Sequence, residues 1–256
     1  MITSPSNPRI KWVRSLQAKR RARDDEGVFV AEGYRWAEEI VKAEARASLV
    51  LCSESLDDHG RGLVNSLRKL GAEAETVSDQ VMAACSETKS PQGLLVVLPR
   101  PDVRAPALDL VLVLDRLADP GNLGTIMRTC QAAGVDALAI TPGSVDPYNP
   151  KVVRAAVGAH LHLPILSASV EELEVSLKDL NLWLAEAAAG LPYDQVDWRP
   201  PSALVIGGEA HGIGESVRAL GGGQTHIPMA PASESLNAAV AAAVILFEIR
   251  RQRGTQ

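Results

Sequence analysis

The chain is 256 residues long, 46% hydrophobic and 22% charged, with only 4% aromatic side chains. This is the balance of a folded globular protein whose core is built from Ala, Val, Leu and Ile. The N-terminus lacks the apolar run of a signal peptide, and the longest strongly apolar stretch, 238–247, is about half of a bilayer span. Cys52, Cys85 and Cys130 are scattered and form no CxxC or Cys/His cluster, so no metal is expected and a reduced, cytoplasmic setting is the simplest reading.

The net charge of −5 argues against a nucleic-acid partner, but its distribution argues otherwise. Residues 1–23 hold seven basic side chains (Arg9, Lys11, Arg14, Lys19, Arg20, Arg21, Arg23) and no acidic one, which leaves the remainder at −12. Electrostatic grip on phosphates is a property of a patch, so these seven are candidate RNA contacts. The competing reading is a solvated amphipathic helix over 9–22, started by Pro8, with Trp12, Val13 and Leu16 turned inward. A strand at 28–31, a helix at 34–44, a strand at 49–52 and a helix near 62–70 follow. Residues 74–77 and the apolar run 94–98 read as strands, the second entered through the turn Pro91-Gln92-Gly93. Together they make a small α/β domain over 1–98. Residues 99–107, with three prolines and no periodicity, read as a linker.

The second domain, 108–256, opens with the all-apolar run 110–114, a strand type buried on both faces of a parallel sheet. Helix 122–133, strand 137–140, helix 150–157, strand 163–166, helix 170–179 and strand 182–185 continue the alternation. Strand 203–207, a short helix near 213–219, strand 225–227 and a helix from about 233 to 252 complete it. Such βα repetition predicts an α/β fold with a parallel sheet covered by helices. Ligands in these sheets sit beyond the carboxyl ends of strands.

Three motifs fall at such ends. The first, Asp119-Pro120-Gly121-Asn122-Leu123-Gly124 with Arg128 beyond it, offers Asn122 as a helix N-cap. It also places a guanidinium in an otherwise small and apolar helix, where a surface cation is the plainer reading. The second, Gly207-Gly208-Glu209-Ala210-His211-Gly212, is a glycine turn carrying one carboxylate. It is not a phosphate cradle, since neither GxxxxGK[ST] nor GxGxxG is present. The third runs Ile227-Pro228-Met229, then Ser233-Glu234-Ser235-Leu236-Asn237. Its prolines force an extended loop, Ser233 or Glu234 is expected to cap the last helix, and Ser235 and Asn237 to sit in the first turn.

Asn-x-Gly-x-x-x-Arg, Gly-x-Glu-x-x-Gly and Ile-Pro-Met-x5-Ser-Leu-Asn, in this order, resemble the three motifs of the TrmH/SpoU family of RNA 2′-O-ribose methyltransferases. Residues 1–98, with NPRIK, FVAEG and SPQG, look like the RNA substrate-binding domain of its rRNA-modifying branch. The resemblance implies a SPOUT fold whose C-terminal part is tied in a trefoil knot, a homodimer, and S-adenosylmethionine held bent in the knot. It implies cofactor contacts at Gly207, Gly208, Ile227, Met229 and Leu236. It also implies a catalytic and substrate-positioning set of Arg128, Glu209, Ser235 and Asn237, with Asn122 beside them. Ala210-His211 and Ala238 depart from the common pattern without removing a polar group. The expected activity is methyl transfer to a ribose 2′-hydroxyl of rRNA. The alternatives are a tRNA substrate, a non-catalytic dimeric RNA-binding protein, or a nucleotide-dependent oxidoreductase.

Overall fold

The computed structural model describes residues 1–88, 90–105, 107–231 and 235–254. It divides into two compact units, Met1–Pro101 with Asp146–Leu161, and Asp102–Val145 with His162–Gln256.

In the first unit, α1 (Pro8–Ala18) starts with Pro8 at its first position and the Asn7 side chain accepting from Arg9 N. It buries Ile10, Val13 and Leu16. The single helix expected over 9–22 is in fact two, because Lys19 is extended (φ −122°, ψ 119°) and α2 (Arg20–Glu26) sets off anew. The break lets Arg23 turn inward. Its guanidinium donates to Leu16 O and Gln17 O, carbonyls at the end of α1, which a helix terminus leaves without internal partners. It also pairs with Asp146 at 2.5 Å.

β1 (Val28–Glu32), α3 (Tyr34–Lys42), β2 (Leu49–Ser53), α4 (Asp58–Lys69), β3 (Glu73–Val77), α5 (Asp79–Cys85) and β4 (Leu94–Pro99) complete the chain-order part of this unit. α4 starts earlier than the apolar pattern suggested, because the Asp57 side chain accepts from Gly60 N. α5, capped by Ser78, had no sequence expectation. The sheet order is β1-β4-β2-β3, with β4 antiparallel to both β1 and β2 and β3 parallel to β2. One face (Phe29, Val50, Val96) packs under Trp36, Ile40 and Leu67. The other (Val30, Leu51, Val97) packs under Ile10, Val13 and Met82. Burial on both faces explains why 94–98, in β4, reads as an unbroken apolar run.

Residues 146–161, which chain order alone assigns to the second domain, join the first unit. They carry α7 (Pro150–Ala156) and a single 3₁₀ turn at Ala159–Leu161. Trp36 Nε1 donates to Val153 O at 2.9 Å, and His160 is buried among the rings of Phe29, Trp36 and Tyr148.

The second unit holds β5 (Leu110–Asp115), α6 (Pro120–Ala133), β6 (Ala137–Ile140), β7 (Ile165–Ser167), α8 (Val170–Ser176), β8 (Asn181–Ala185), β9 (Leu191–Pro192), β10 (Ser202–Gly207), α9 (Glu215–Arg218), β11 (Gly223–His226) and α10 (Ala238–Arg253). Its seven strands are all parallel, in the order β7-β6-β5-β10-β8-β11-β9. The late strand β10 lies between β5 and β8, so segments far apart in sequence emerge side by side at one edge. Leu173 of α8 and Val217 of α9 cover one face of the sheet with Val113, Ala139 and Val205. α6 and α10 lie alongside one another and run parallel, since Asn237 donates to Asn122 at their starts and Arg250 to Ala132 O at their ends. Among the described residues no helix is long and apolar enough to cross a membrane.

Candidate active site at the carboxyl ends of the parallel strands

The site grows from the end of β5. Asp115 is buried; its Oδ1 accepts from Thr141 Oγ1 and its Oδ2 from Gly214 N, both at 2.7 Å, while its carbonyl accepts from Gly208 N at 2.8 Å. The glycine turn after β10 is thereby pinned at both ends. A Cβ on Gly207 would lie 2.2 Å from the Gly212 carbonyl carbon, and one on Gly208 2.3 Å from Arg116 O. Both glycines are therefore demanded by backbone meeting backbone. Both also line the cavity described below.

Asn122 was expected as the N-cap of α6. The cap is Asp119, whose Oδ1 accepts from Asn122 N at 2.7 Å, with Pro120 at the first position. That leaves the Asn122 amide free. Its Nδ2 donates to Glu209 Oε1 at 2.6 Å, and its Oδ1 accepts from Asn237 Nδ2 at 2.9 Å. Asn237 itself caps α10, its Oδ1 accepting from Ala239 N and Val240 N. The last helix thus begins at Ala238; Ser235 and Asn237 precede its first turn instead of sitting in it. The proposed caps Ser233 and Glu234 lie outside the described residues. One side chain from each of the three motifs therefore meets in a single chain of hydrogen bonds.

Beside this chain opens a cavity of about 440 Å³, within the range of small-molecule sites. Gly207, Gly208, Glu209, Ile227, Met229, Ser235, Leu236 and Asn237 all line it, as the motifs suggested. Ile206 and Ile245 extend its apolar wall. Sequence reasoning missed Glu186 and His226 on the same wall. Their signal was position, at the carboxyl ends of β8 and β11. His226 Nδ1 is buried without a hydrogen-bond partner among the described residues, and Glu186 Oε1, equally buried, is paired with the Arg218 guanidinium at 2.5 Å. Apolar walls, three convergent motifs, a carboxylate and an unsatisfied ring nitrogen suit a ligand with a flat apolar part and several polar groups. S-Adenosylmethionine fits that description.

Other candidates lie elsewhere. Arg128 is exposed on α6 and lines neither this cavity nor the Asn122–Glu209–Asn237 cluster. It stands six residues past Asn122, about 9 Å along the axis and around the helix from it. His211 lines a separate cleft with Arg116 and Ser169. In the basic segment, Arg9 is paired with Glu73 and Glu75, Arg20 with Asp24 and Arg21 with Asp25. Arg23, only 3% exposed, is removed from the RNA-contact set because its charge is spent on buried Asp146. Lys11, Arg14 and Lys19 are exposed.

Comparison with known proteins agrees with this geometry. Residues 109–247 match the model of the SpoU rRNA methylase family, and residues 7–96 that of the MRM3-like substrate-binding domain. The chain is 29% identical to the 23S rRNA (guanosine(2553)-2′-O)-methyltransferase RlmP of Bacillus subtilis, covering 97% of this chain and 98% of that one. It is 28% identical to the human mitochondrial rRNA methyltransferase 3, covering 97% and 73%. Among solved structures, the AdoMet-bound rRNA methyltransferase from Sinorhizobium meliloti superposes with a TM-score of 0.86 at 26% identity, covering 98% and 97%. The SpoU methyltransferase AviRb from Streptomyces viridochromogenes, in complex with AdoMet, also gives 0.86, at 27% identity over 96% and 98%. The carboxyl-end cluster and cavity fall within the span that the family model covers, and the chain belongs to the SpoU rRNA methylase family.

Proposed function

We propose that this protein transfers the methyl group of S-adenosylmethionine to a ribose 2′-hydroxyl of ribosomal RNA. The observation that carries the reading is the hydrogen-bonded chain Asn237–Asn122–Glu209 at the edge of the strand-end cavity. Gly207, Gly208, Ile227, Met229 and Leu236 hold the cofactor in this reading. The sulfonium supplies an activated methyl group, so the protein contributes position and charge.

The residues divide that work. Asn122 fixes the Glu209 carboxylate through Oε1, and Ala118 N, 3.4 Å from Oε2, approaches the other oxygen. A carboxylate has about four acceptor positions, so Glu209 retains capacity to accept from the incoming 2′-hydroxyl. Asn237 is locked by its own cap, which keeps Asn122 from rotating. Ser235 adds a hydroxyl at the same edge. Alignment of this kind is worth several kcal/mol of barrier. Arg128 acts from the exposed face of α6. Its guanidinium is too weak an acid to serve as base, so it orients the RNA, and a neighbouring phosphate takes up the hydroxyl proton.

The reading includes a homodimer. α10 buries Ala242, Ile245, Leu246 and Ile249 on one side yet leaves Val240 and Phe247 half exposed on another. A helix apolar on more than one face calls for a second cover, and a second copy of the same helix pair supplies it. The trefoil knot of the SPOUT fold belongs to the same reading. RNA phosphates are gripped by Lys11, Arg14 and Lys19, and by Arg9, Arg20 and Arg21, whose surface ion pairs are individually weak and yield to phosphate. Three free, buried cysteines accord with a cytoplasmic location.

Mass spectrometry of rRNA from cells lacking the protein should reveal one unmethylated ribose, restored by the wild-type chain. Arg128→Ala should bind cofactor with unchanged affinity while its single-turnover methyl transfer falls at least a hundredfold. A near-wild-type rate would remove Arg128 from the reaction.

A further inference from the structure

The cavity has two ends. Strands in a sheet lie about 5 Å apart, and the order β5-β10-β8-β11 sets the ends of β8 and β11 about two and three strand spacings from β5. The Asn122–Glu209–Asn237 cluster stands at the β5–β10 end. Glu186, directly after β8, and His226, closing β11, stand at the other. Both line the cavity, and of their buried polar atoms it is His226 Nδ1 that lacks a partner among the described residues. Glu186 is also held in place. Arg218 Nη2 donates to its Oε2 at 3.0 Å, Nη1 lies 2.5 Å from Oε1, and Arg218 Nε donates to Ile213 O at 2.9 Å. The guanidinium thus offsets the carboxylate's charge and fixes its plane; a carboxylate has about four acceptor positions, so Glu186, which lines the cavity, keeps capacity for a further donor. Such a carboxylate suits neutral donors, and paired hydroxyls on a sugar are donors of that kind; dinucleotide folds use an acidic residue on ribose in the same way.

We propose that Glu186, oriented by Arg218, selects the cofactor by accepting hydrogen bonds from its ribose hydroxyls, at the end of the cavity remote from the reacting methyl group. This assignment rests on the cofactor reading above. His226 lines the cavity at the same end. Arg218 is a positioning residue, acting through Glu186.

The test is isothermal titration with S-adenosylhomocysteine and with its 2′-deoxy and 3′-deoxy counterparts, alongside thermal unfolding of each variant. Wild-type protein should bind at least one deoxy ligand about tenfold or more weaker, the loss expected for a hydrogen bond to a charged acceptor. Glu186→Ala should weaken the parent ligand by a similar factor and bind parent and deoxy ligands alike. Glu186→Gln, which keeps an acceptor, should retain part of the discrimination. Equal weakening of all ligands by Glu186→Ala, with discrimination intact, would overturn the assignment and leave the cofactor reading standing. If Glu186→Ala does not fold, the wild-type ligand series decides, because absence of discrimination there refutes the role. No heat from the parent ligand with wild-type protein would refute the cofactor reading itself.

Discussion

Asn122 bridges two other motifs because Asp119 takes the helix cap in its place. A capping asparagine would spend its side-chain oxygen on backbone N–H groups; here that oxygen accepts from Asn237 and the amide nitrogen is left for Glu209. Asn122→Asp replaces the donor with a second carboxylate facing Glu209. The variant should stay folded and bind S-adenosylhomocysteine within about twofold of wild type, yet lose about a hundredfold or more in transfer rate, as for removal of one positioned polar group. Single-turnover kinetics would check this, and an unchanged rate would dissociate the bridge from catalysis. His160, in the first unit, makes a different residue-scale prediction. Burial lowers its imidazole pKa from 6.5 to about 4, and its Nε2 pairs with Pro147 O. The unfolded chain therefore takes up a proton between these values while the folded one does not, so stability is full above pH 6.5 and falls as pH drops toward 4. The loss is about 3 kcal/mol at most. Urea unfolding monitored in the first unit should show this acid limb in wild type and a flatter one in His160→Phe.

At the scale of elements, glycine and capping chemistry decide the geometry of the site. The turn from Gly207 to Gly214 is closed by Gly212 N donating to Gly208 O and is pinned to Asp115 at both ends. A methyl group at residue 207 meets backbone, which does not yield as a flexible side chain would. Gly207→Ala should therefore displace the turn that carries Glu209, abolish cofactor binding by calorimetry and lower the melting temperature by several degrees, which corresponds to about 1–2 kcal/mol. Unimpaired binding would show that the turn has a second low-energy shape. The α1–α2 break is a comparable device. Helix periodicity continued through Lys19, yet two unpaired carbonyls and one buried aspartate together draw Arg23 inward. Removing one partner from such a buried pair typically costs about 3–5 kcal/mol, which makes Arg23 a stability residue.

For the whole molecule, the exposed apolar side of α10 is the feature with the widest consequence. Phe247 is 50% and Val240 48% exposed. If a second copy covers them, Phe247→Glu should convert the protein from dimer to monomer in sedimentation equilibrium. A variant that remains dimeric would place the interface elsewhere.

The element alternation, the parallel sheet and the three motif loops were legible from periodicity and strand-end position, because those patterns depend on local sequence and on burial of a strand's two faces. The family resemblance was legible from Asn122, Arg128, Glu209, Ser235 and Asn237 in their order. What only the tertiary structure decided was which side chains are free and which are engaged. Asp119 caps in place of Asn122, Arg23 is buried, Glu186 and His226 face the cavity, and residues 146–161 pack with the first unit. The Asp119 cap lies three positions from Asn122, but Arg23 meets Asp146 123 positions away and Trp36 meets Val153 117 positions away. Pairing at such distance is set by the insertion of β10 between β5 and β8 and by burial, and no local pattern encodes it.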